Sequence, residues 1–334
     1  MFRAIILGTI FFHTTEADFE FVAFGDWGYA GPSFDTVMKS FQSQCPKRDF
    51  VMLLGDKYPQ GFKSVNDLDW SLFTEGVAKD STIPHHVVLG NHDYLGNLDA
   101  EIEYSRLDSR WDLPSKFYTR VHSDDSTTIC IYAIDTNDFH QTQMSWLNGQ
   151  FVNPNCESSK AWNIVIGHHP IWTAALYKDS PQLKEDLLPI LHKNKVDLYL
   201  CGHDHVHEIF YDGTLTEVVS GAVAVMRAPV TFSENANQIW GVSGWNVEGY
   251  LKITTQGSSG LHVEIKSARS NLNFQEFTIT KNGDKSSIFG HVNWSRENSN
   301  KDAVIADGGN SKSATCISTI SAAAIILLTI ITYI

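Results

Sequence analysis

Short apolar runs, each closed by a glycine, recur along the first two thirds of the chain. FEFVAFG (19–25), DFVMLLG (49–55), HHVVLG (85–90), AWNIVIG (161–167) and VDLYLCG (196–202) share this form, and TTICIYAID (127–135) is a further apolar run. Continuous apolar runs of this length predict strands buried on both faces, which requires helices to cover the sheets they form. Helical spacing fills some of the gaps. Phe34, Val37, Met38 and Phe41 recur at i, i+3, i+4 and i+7, and Leu183, Leu187, Leu188 and Leu191 mark a second helix. From about Leu215 the texture changes to alternating strands such as YLKITT (250–255), LHVEIKSA (261–268) and FQEFTITK (274–281). The pattern predicts one α/β domain with strand layers sandwiched by helices.

Immediately after these runs stand the side chains that metals favour. Asp26 follows in GDWG, Asp56 in GDKY, Asn91 and His92 in GNHD, His168 in GHHP, and His203 and His205 in GHDH. Loops at the carboxyl ends of neighbouring strands meet at one crevice in open α/β sheets. Glycine lets the chain turn sharply as it leaves each strand. A lone Gly-Asp is a commonplace turn, and a lone histidine after a strand is more often structural than a ligand. The ordered set of carboxylates, imidazoles and one amide instead predicts a metal site. Other histidines receive blander readings. His207 continues the period of His203 and His205, His169 points away from His168 if the strand continues and so reads as a support behind the ligands, and His85 and His86 read as surface or packing residues.

Charge and the two ends narrow the picture. The net charge of −13 and the lack of any basic run argue against a nucleic-acid partner. Residues 1–17 carry a positive Arg3, an apolar stretch and a small-residue junction at Thr15-Glu16-Ala17, the layout of a signal peptide. The domain itself is expected over 18–296, followed by a polar Gly/Asn/Ser-rich stalk over 297–313 and an apolar segment over 314–334. That tail is marginal for a spanning helix, which wants about 20 apolar residues. With small residues Gly308, Gly309 and Asn310 upstream, it fits a lipid-anchor signal, and a tail-anchoring helix is the alternative. The expectation is a membrane-anchored protein of the secretory pathway, on the lumenal or extracellular face. A sequon at Asn293-Trp294-Ser295 agrees with that route. Of the five cysteines, Cys45, Cys130, Cys156 and Cys201 precede the tail, and spacing does not choose among their pairings. Cys130 and Cys201 lie in apolar runs and read equally well as buried thiols.

The ordered motifs GDxG, GDxxY, GNHD, GHxP and GHxH resemble the signature of the metallophosphoesterases, and GDWG is similar to the purple acid phosphatases among them. NHDYLGNLDAEIEYSRLDSRWDLPSKFY (91–118) and SGAVAVM (220–226) resemble the small tartrate-resistant enzymes. The resemblance implies a four-layer α-β-β-α sandwich with two metal ions bridged by Asp56. It further implies that Asp26, Asp56 and His205 hold a ferric ion. Asp56, Asn91, His168 and His203 would hold a second iron, a zinc or a manganese. Asn91 and His92 would bind the substrate phosphate, with His92 as the catalytic side chain. A pair of cations about 3.5–4 Å apart pins phosphate oxygens and acidifies a bound water. The implied reaction is hydrolysis of small phosphate monoesters by a metal-bound hydroxide.

The sequence departs from that family in three places. Tyrosine comes one residue early in Asp56-Lys57-Tyr58-Pro59, so Tyr58 either reaches the first metal or merely packs. Tyr177 stands where the small enzymes carry a histidine proposed as proton donor, and a phenol near pKa 10 is the poorer acid. The segment from Asp135 to Trp146 is short, which leaves out the family's long exposed loop. The signal peptide, phosphatase-like body and apolar tail also resemble the membrane-anchored glideosome-associated protein of apicomplexan parasites. That resemblance implies a scaffold with protein partners and weak or no activity. A different metallophosphoesterase is disfavoured because such chains usually begin Asp-x-His, and position 28 is glycine.

Overall fold

The computed structural model describes residues 19–57, 59–226, 238–242, 247–270, 273–282 and 285–289. The signal peptide, Tyr58, the sequon, the stalk and the apolar tail lie outside the described residues.

The chain runs β1 (Glu20–Phe24), α1 (Pro32–Gln44), β2 (Phe50–Leu53), β3 (His85–Val87), α2 (Leu98–Tyr104), β4 (Trp111–Asp112), β5 (Tyr118–Ser123), β6 (Thr128–Ala133), α3 (Gln141–Gln150) and β7 (Ala161–Ile166). It continues through α4 (Pro181–Asp186), α5 (Leu188–Lys193), β8 (Leu198–Cys201), β9 (His207–Tyr211), β10 (Thr216–Ser220) and β11 (Gln238–Val242). It closes with β12 (Gly249–Gln256), β13 (Gly260–Ser267), β14 (Asn273–Asn282) and β15 (Lys285–Phe289). These strands make two sheets, ordered β15-β14-β13-β12-β1-β2-β3-β4 and β11-β9-β10-β8-β7-β6-β5. Within the first, β1 to β4 run parallel; within the second, β6, β7, β8 and β10 do. Antiparallel strands flank both parallel blocks.

Alternation along the strands explains the layering. In β6, Ile129, Ile131 and Ala133 join the large core between the sheets, whereas Cys130 and Tyr132 face the second core beneath the helices. In β8, Leu198 and Leu200 likewise face inward, and Tyr199 and Cys201 face outward. Period-two side chains buried on both sides are what a helix-covered parallel sheet demands. Leu147 of α3, Leu183 of α4 and Leu191 of α5 cap that outer face. On the other side α1 lays Phe41 against Phe24 and Tyr250. The result is the α-β-β-α sandwich expected from the sequence. One element differs: the leucine-marked helix is broken into α4 and α5 at Leu187. Pro189 has no N–H to continue the ladder, and its ring crowds the preceding turn.

The Cys130–Cys156 disulfide ties β6 to the loop before β7, while Cys45 and Cys201 are buried free thiols. His85 and His86 are packing residues, both buried. Among the described residues no helix is long and apolar enough to cross a membrane.

Candidate metal centre

Parallel strands place their carboxyl ends side by side, and the loops leaving β1, β2, β3, β7 and β8 meet there. Asp26, Asp56 and His203 adopt positive φ values of 57°, 52° and 68°. A non-glycine residue in the left-handed region costs about 1–3 kcal/mol, and such strain gathers at functional sites. The neighbouring glycines are needed for proximity. A Cβ on Gly90 would stand 2.1 Å from Asp56 Oδ1, and one on Gly202 or Gly221 would stand 2.6 Å from Asp26 Oδ2.

Acceptor and imidazole atoms then converge. His168 Nε2 lies 3.4 Å from Asp56 Oδ1, 3.2 Å from Asn91 Oδ1 and 3.3 Å from His203 Nδ1. His205 Nε2 faces Asp26 Oδ1 at 3.4 Å. His92 Nε2 is 3.9 Å from Asp56 Oδ2. Donor atoms of Asp26, Asp56 and His168 all lie within 4.8 Å of one another, as do those of His168, His169 and His203. Asp56 thus stands between an Asp26/His205 side and an Asn91/His168/His203 side.

Backbone contacts fix these groups. Asp26 Oδ2 accepts from the N–H of His203 at 2.8 Å, and Asp56 Oδ1 accepts from the N–H of His92 at 2.9 Å. His168 Nδ1 donates to the Leu54 carbonyl at 2.7 Å, which turns Nε2 into the site in the way metal-ligating histidines are usually oriented. His92 Nδ1 donates to the Pro59 carbonyl at 2.6 Å, directing its Nε2 toward Asp56.

The electrostatics fit a cation. Burial opposes charge on His168, but the Asp56 carboxylate and its hydrogen bond outweigh this and raise the imidazole to about 9. Burial also works against the Asp56 charge, yet His168 holds that carboxyl well below the usual range. Asp26 is raised, chiefly by burial. Burial first, and then the charge of His168, lowers His203 to about 2, leaving it neutral and able to ligate. Asp26 Oδ1 and His205 Nδ1 are buried without a hydrogen-bond partner. A buried polar atom of this kind costs free energy unless something fills its valence. Two carboxylates, one amide and three imidazoles, with an orphaned oxygen on Asp26 and an orphaned nitrogen on His205, are a donor set that suits a small, highly charged cation.

Asp26, Asp56, Asn91, His92, His168, His203 and His205 are therefore brought together. Tyr58 lies outside the described residues. The strand does not continue to His169, so the condition for its pointing away from His168 fails, and it packs beside the expected ligand His203. Its ring centre lies 4.4 Å from that of His203, and Nδ1 sits 2.8 Å from the Thr136 hydroxyl. β7 ends at Ile166, so the strand's alternation no longer governs the two histidines beyond it. His207, by contrast, is buried inside β9. Sequence reasoning overlooked Asp93 and Lys57. Asp93 accepts from the backbone N–H of Asp56, Lys57 and Gly90.

Comparisons with known proteins identify the family and the fold. Residues 19–207 match the model of the calcineurin-like phosphoesterases. The chain is similar to tartrate-resistant acid phosphatase type 5 of Homo sapiens, 32% identical over 256 residues, covering 66% of this chain and 77% of the relative. The Rattus norvegicus form is 32% identical over 313 residues, covering 81% and 91%. Among solved structures, GAP50, the anchor in the inner membrane complex of Plasmodium, superposes with a TM-score of 0.69. It is 21% identical, and the match covers 78% of this chain and 88% of that one.

Proposed function

The chain belongs to the calcineurin-like phosphoesterases, among the purple acid phosphatases of the tartrate-resistant type, and from that premise we propose that it hydrolyses small phosphate monoesters at a two-metal centre. The observation that carries the proposal is the position of Asp56, whose ligand atom lies within 4.8 Å of those of Asp26 on one side and His168 on the other. In this reading Asp26, Asp56 and His205 hold the first cation, an iron, with Tyr58 as a further candidate. Asp56, Asn91, His168 and His203 hold the second, an iron, zinc or manganese. When bound, two such cations would neutralise phosphate charge and lower the pKa of a coordinated water.

The protein's own groups do the rest. Asn91 and His92 face the phosphate, with His92 held in one tautomer by Pro59. The backbone N–H groups of His92 and His203 fix the two carboxylates, so that no reorganisation is needed during the reaction. Tyr177 occupies the leaving-group side. We place the activity on a domain over 18–296, preceded by a signal peptide (1–17) and followed by a stalk (297–313) and a membrane-anchoring segment (314–334).

The rival reading is a scaffold, and its support is the apolar tail together with a fold shared with a membrane-complex anchor. The retained ligand set argues against it. Unpaired buried charges cost several kcal/mol each and are lost unless something holds them in place. Metal quantification and a panel of phosphate esters across pH, on one sample, separate the two. About two metals per chain with hydrolysis is expected; a metal-free, inactive protein would leave the scaffold.

A further inference from the structure

Lys57 is fully buried, as are Asp93 and Glu101. A lysine with no solvent contact is rare and must be paired. Its Nζ lies 2.7 Å from Asp93 Oδ2 and 3.1 Å from Glu101 Oε2, and donates to the Val88 carbonyl at 3.1 Å. Asp93 also accepts from the N–H of Asp56 at 3.1 Å, of Lys57 at 3.2 Å and of Gly90 at 2.6 Å. One ammonium and one carboxylate therefore grip the loop after β2, the end of β3 and the loop after it. Asp56 sits on the first of these loops, and Asn91 and His92 sit on the last.

We infer that Lys57 is a positioning residue of the proposed metal centre, acting through Asp93 to hold Asp56 and Asn91 at a fixed separation; this rests on the two-metal reading above. The geometry leaves little slack. Asp56 Oδ1 is bound by the His92 N–H at 2.9 Å, and a Cβ on Gly90 would stand 2.1 Å from that oxygen. A shift of either loop moves a ligand. The ammonium is directed at Asp93, Glu101 and Val88 rather than at the Asp56 carboxylate, so its influence on the centre is indirect. Groups that orient metal ligands typically change metal affinity or activity by about 10–100-fold when removed.

The test compares wild type with K57M, K57M/E101M and E101Q. Metal per chain, metal affinity by chelator competition, melting temperature in chelator, and kcat and KM on an aryl phosphate are measured. K57M strands the Glu101 carboxylate and is expected to melt earlier. K57M/E101M removes that unpaired partner and is expected to recover the melting temperature. Its metal affinity should remain at least about tenfold weaker and its kcat about 10–100-fold lower, with KM little changed. E101Q keeps the Lys57–Asp93 pair and is expected to bind metal as wild type does. If K57M/E101M regains both stability and metal affinity, Lys57 is merely structural and the inference is overturned. A tenfold loss in E101Q overturns it equally, and serves if the double variant does not fold. Wild type without metal would instead sink the two-metal reading, and this inference with it.

Discussion

The ring of Tyr177 lies over the imidazole of His203, with centroids 4.2 Å apart and planes tilted by 26°. Tyr177 is 44% exposed, so its outer part borders the mouth of the site while its inner face packs on a proposed metal ligand. An aromatic wall there favours substrates whose leaving group is itself aromatic, because offset stacking adds about 0.5–1.5 kcal/mol. A phenol is also a weak proton donor at mild pH, and aryl leaving groups need a donor least. Y177H is expected to raise turnover of alkyl phosphates about tenfold or more relative to aryl phosphates. Y177A is expected to raise KM for aryl phosphates. Parallel kinetics on both classes check this, and an unchanged ratio in both variants would remove Tyr177 from the leaving-group side.

His92 tests the phosphate-facing role. Its side chain is partly exposed, with Nδ1 tethered to the Pro59 carbonyl and Nε2 facing Asp56, so removing it opens space to solvent rather than a buried cavity. H92A is expected to lower kcat/KM by about a hundredfold or more, the usual scale for a positioned acid–base group. The melting temperature and metal content are expected to stay at wild-type values. Loss of metal in H92A would mean that His92 ligates rather than binds substrate.

Much of this site was legible because physics repeats itself along the chain. Asp26, Asp56, His168 and His203 each follow a buried strand by two or three residues, and the parallel strands of each sheet bring those steps to one edge. His169 was not legible, since strand alternation sends it away from His168 and that alternation stops at Ile166. Lys57 was hidden for another reason. Composition says that lysine belongs in water, and only the three-dimensional pairing with Asp93 and Glu101 explains its burial. Cys130 stayed open between a disulfide partner and a buried thiol because its strand is apolar. Its partner sits in a loop that no periodicity places.

That disulfide makes its own prediction. Cys130 and Cys156 are 26 residues apart, and closing a loop of this length stabilises the fold by about 3–4 kcal/mol through the unfolded chain. C130A/C156A is expected to lose that amount in denaturant titrations. Peptide mapping without reductant is expected to recover the Cys130–Cys156 link, with Cys45 and Cys201 reacting only after unfolding, since both are buried. A Cys45–Cys201 link would contradict this arrangement.

The apolar segment over 314–334 sets a test on cells. A lipid-anchor signal is removed and replaced, so a phospholipase that cleaves such anchors is expected to release the protein into the medium. Retention on the membrane with extraction only by detergent would assign a tail-anchoring helix instead.

His85 sets a limit on how acidic the working range can be. It lies under Phe73, fully buried, with Nδ1 donating to the Ile83 carbonyl at 3.1 Å and Nε2 without a partner. Burial pushes its pKa down to about 3, against about 6.5 in an unfolded chain. Between those values the unfolded state takes up a proton that the native state refuses, so stability rises with pH through this window. The contribution is whole above pH about 6.5 and drains away as pH falls toward 3, at up to about 1.4 kcal/mol per pH unit. Asn in place of His85 keeps a donor for Ile83 and does not titrate. Denaturant titrations from neutral to mildly acidic pH are expected to show H85N losing stability less steeply than wild type by about 1 kcal/mol per unit. Parallel slopes would mean that His85 is already protonated in the folded protein, with the Asp108 carboxylate as the charge that sustains it.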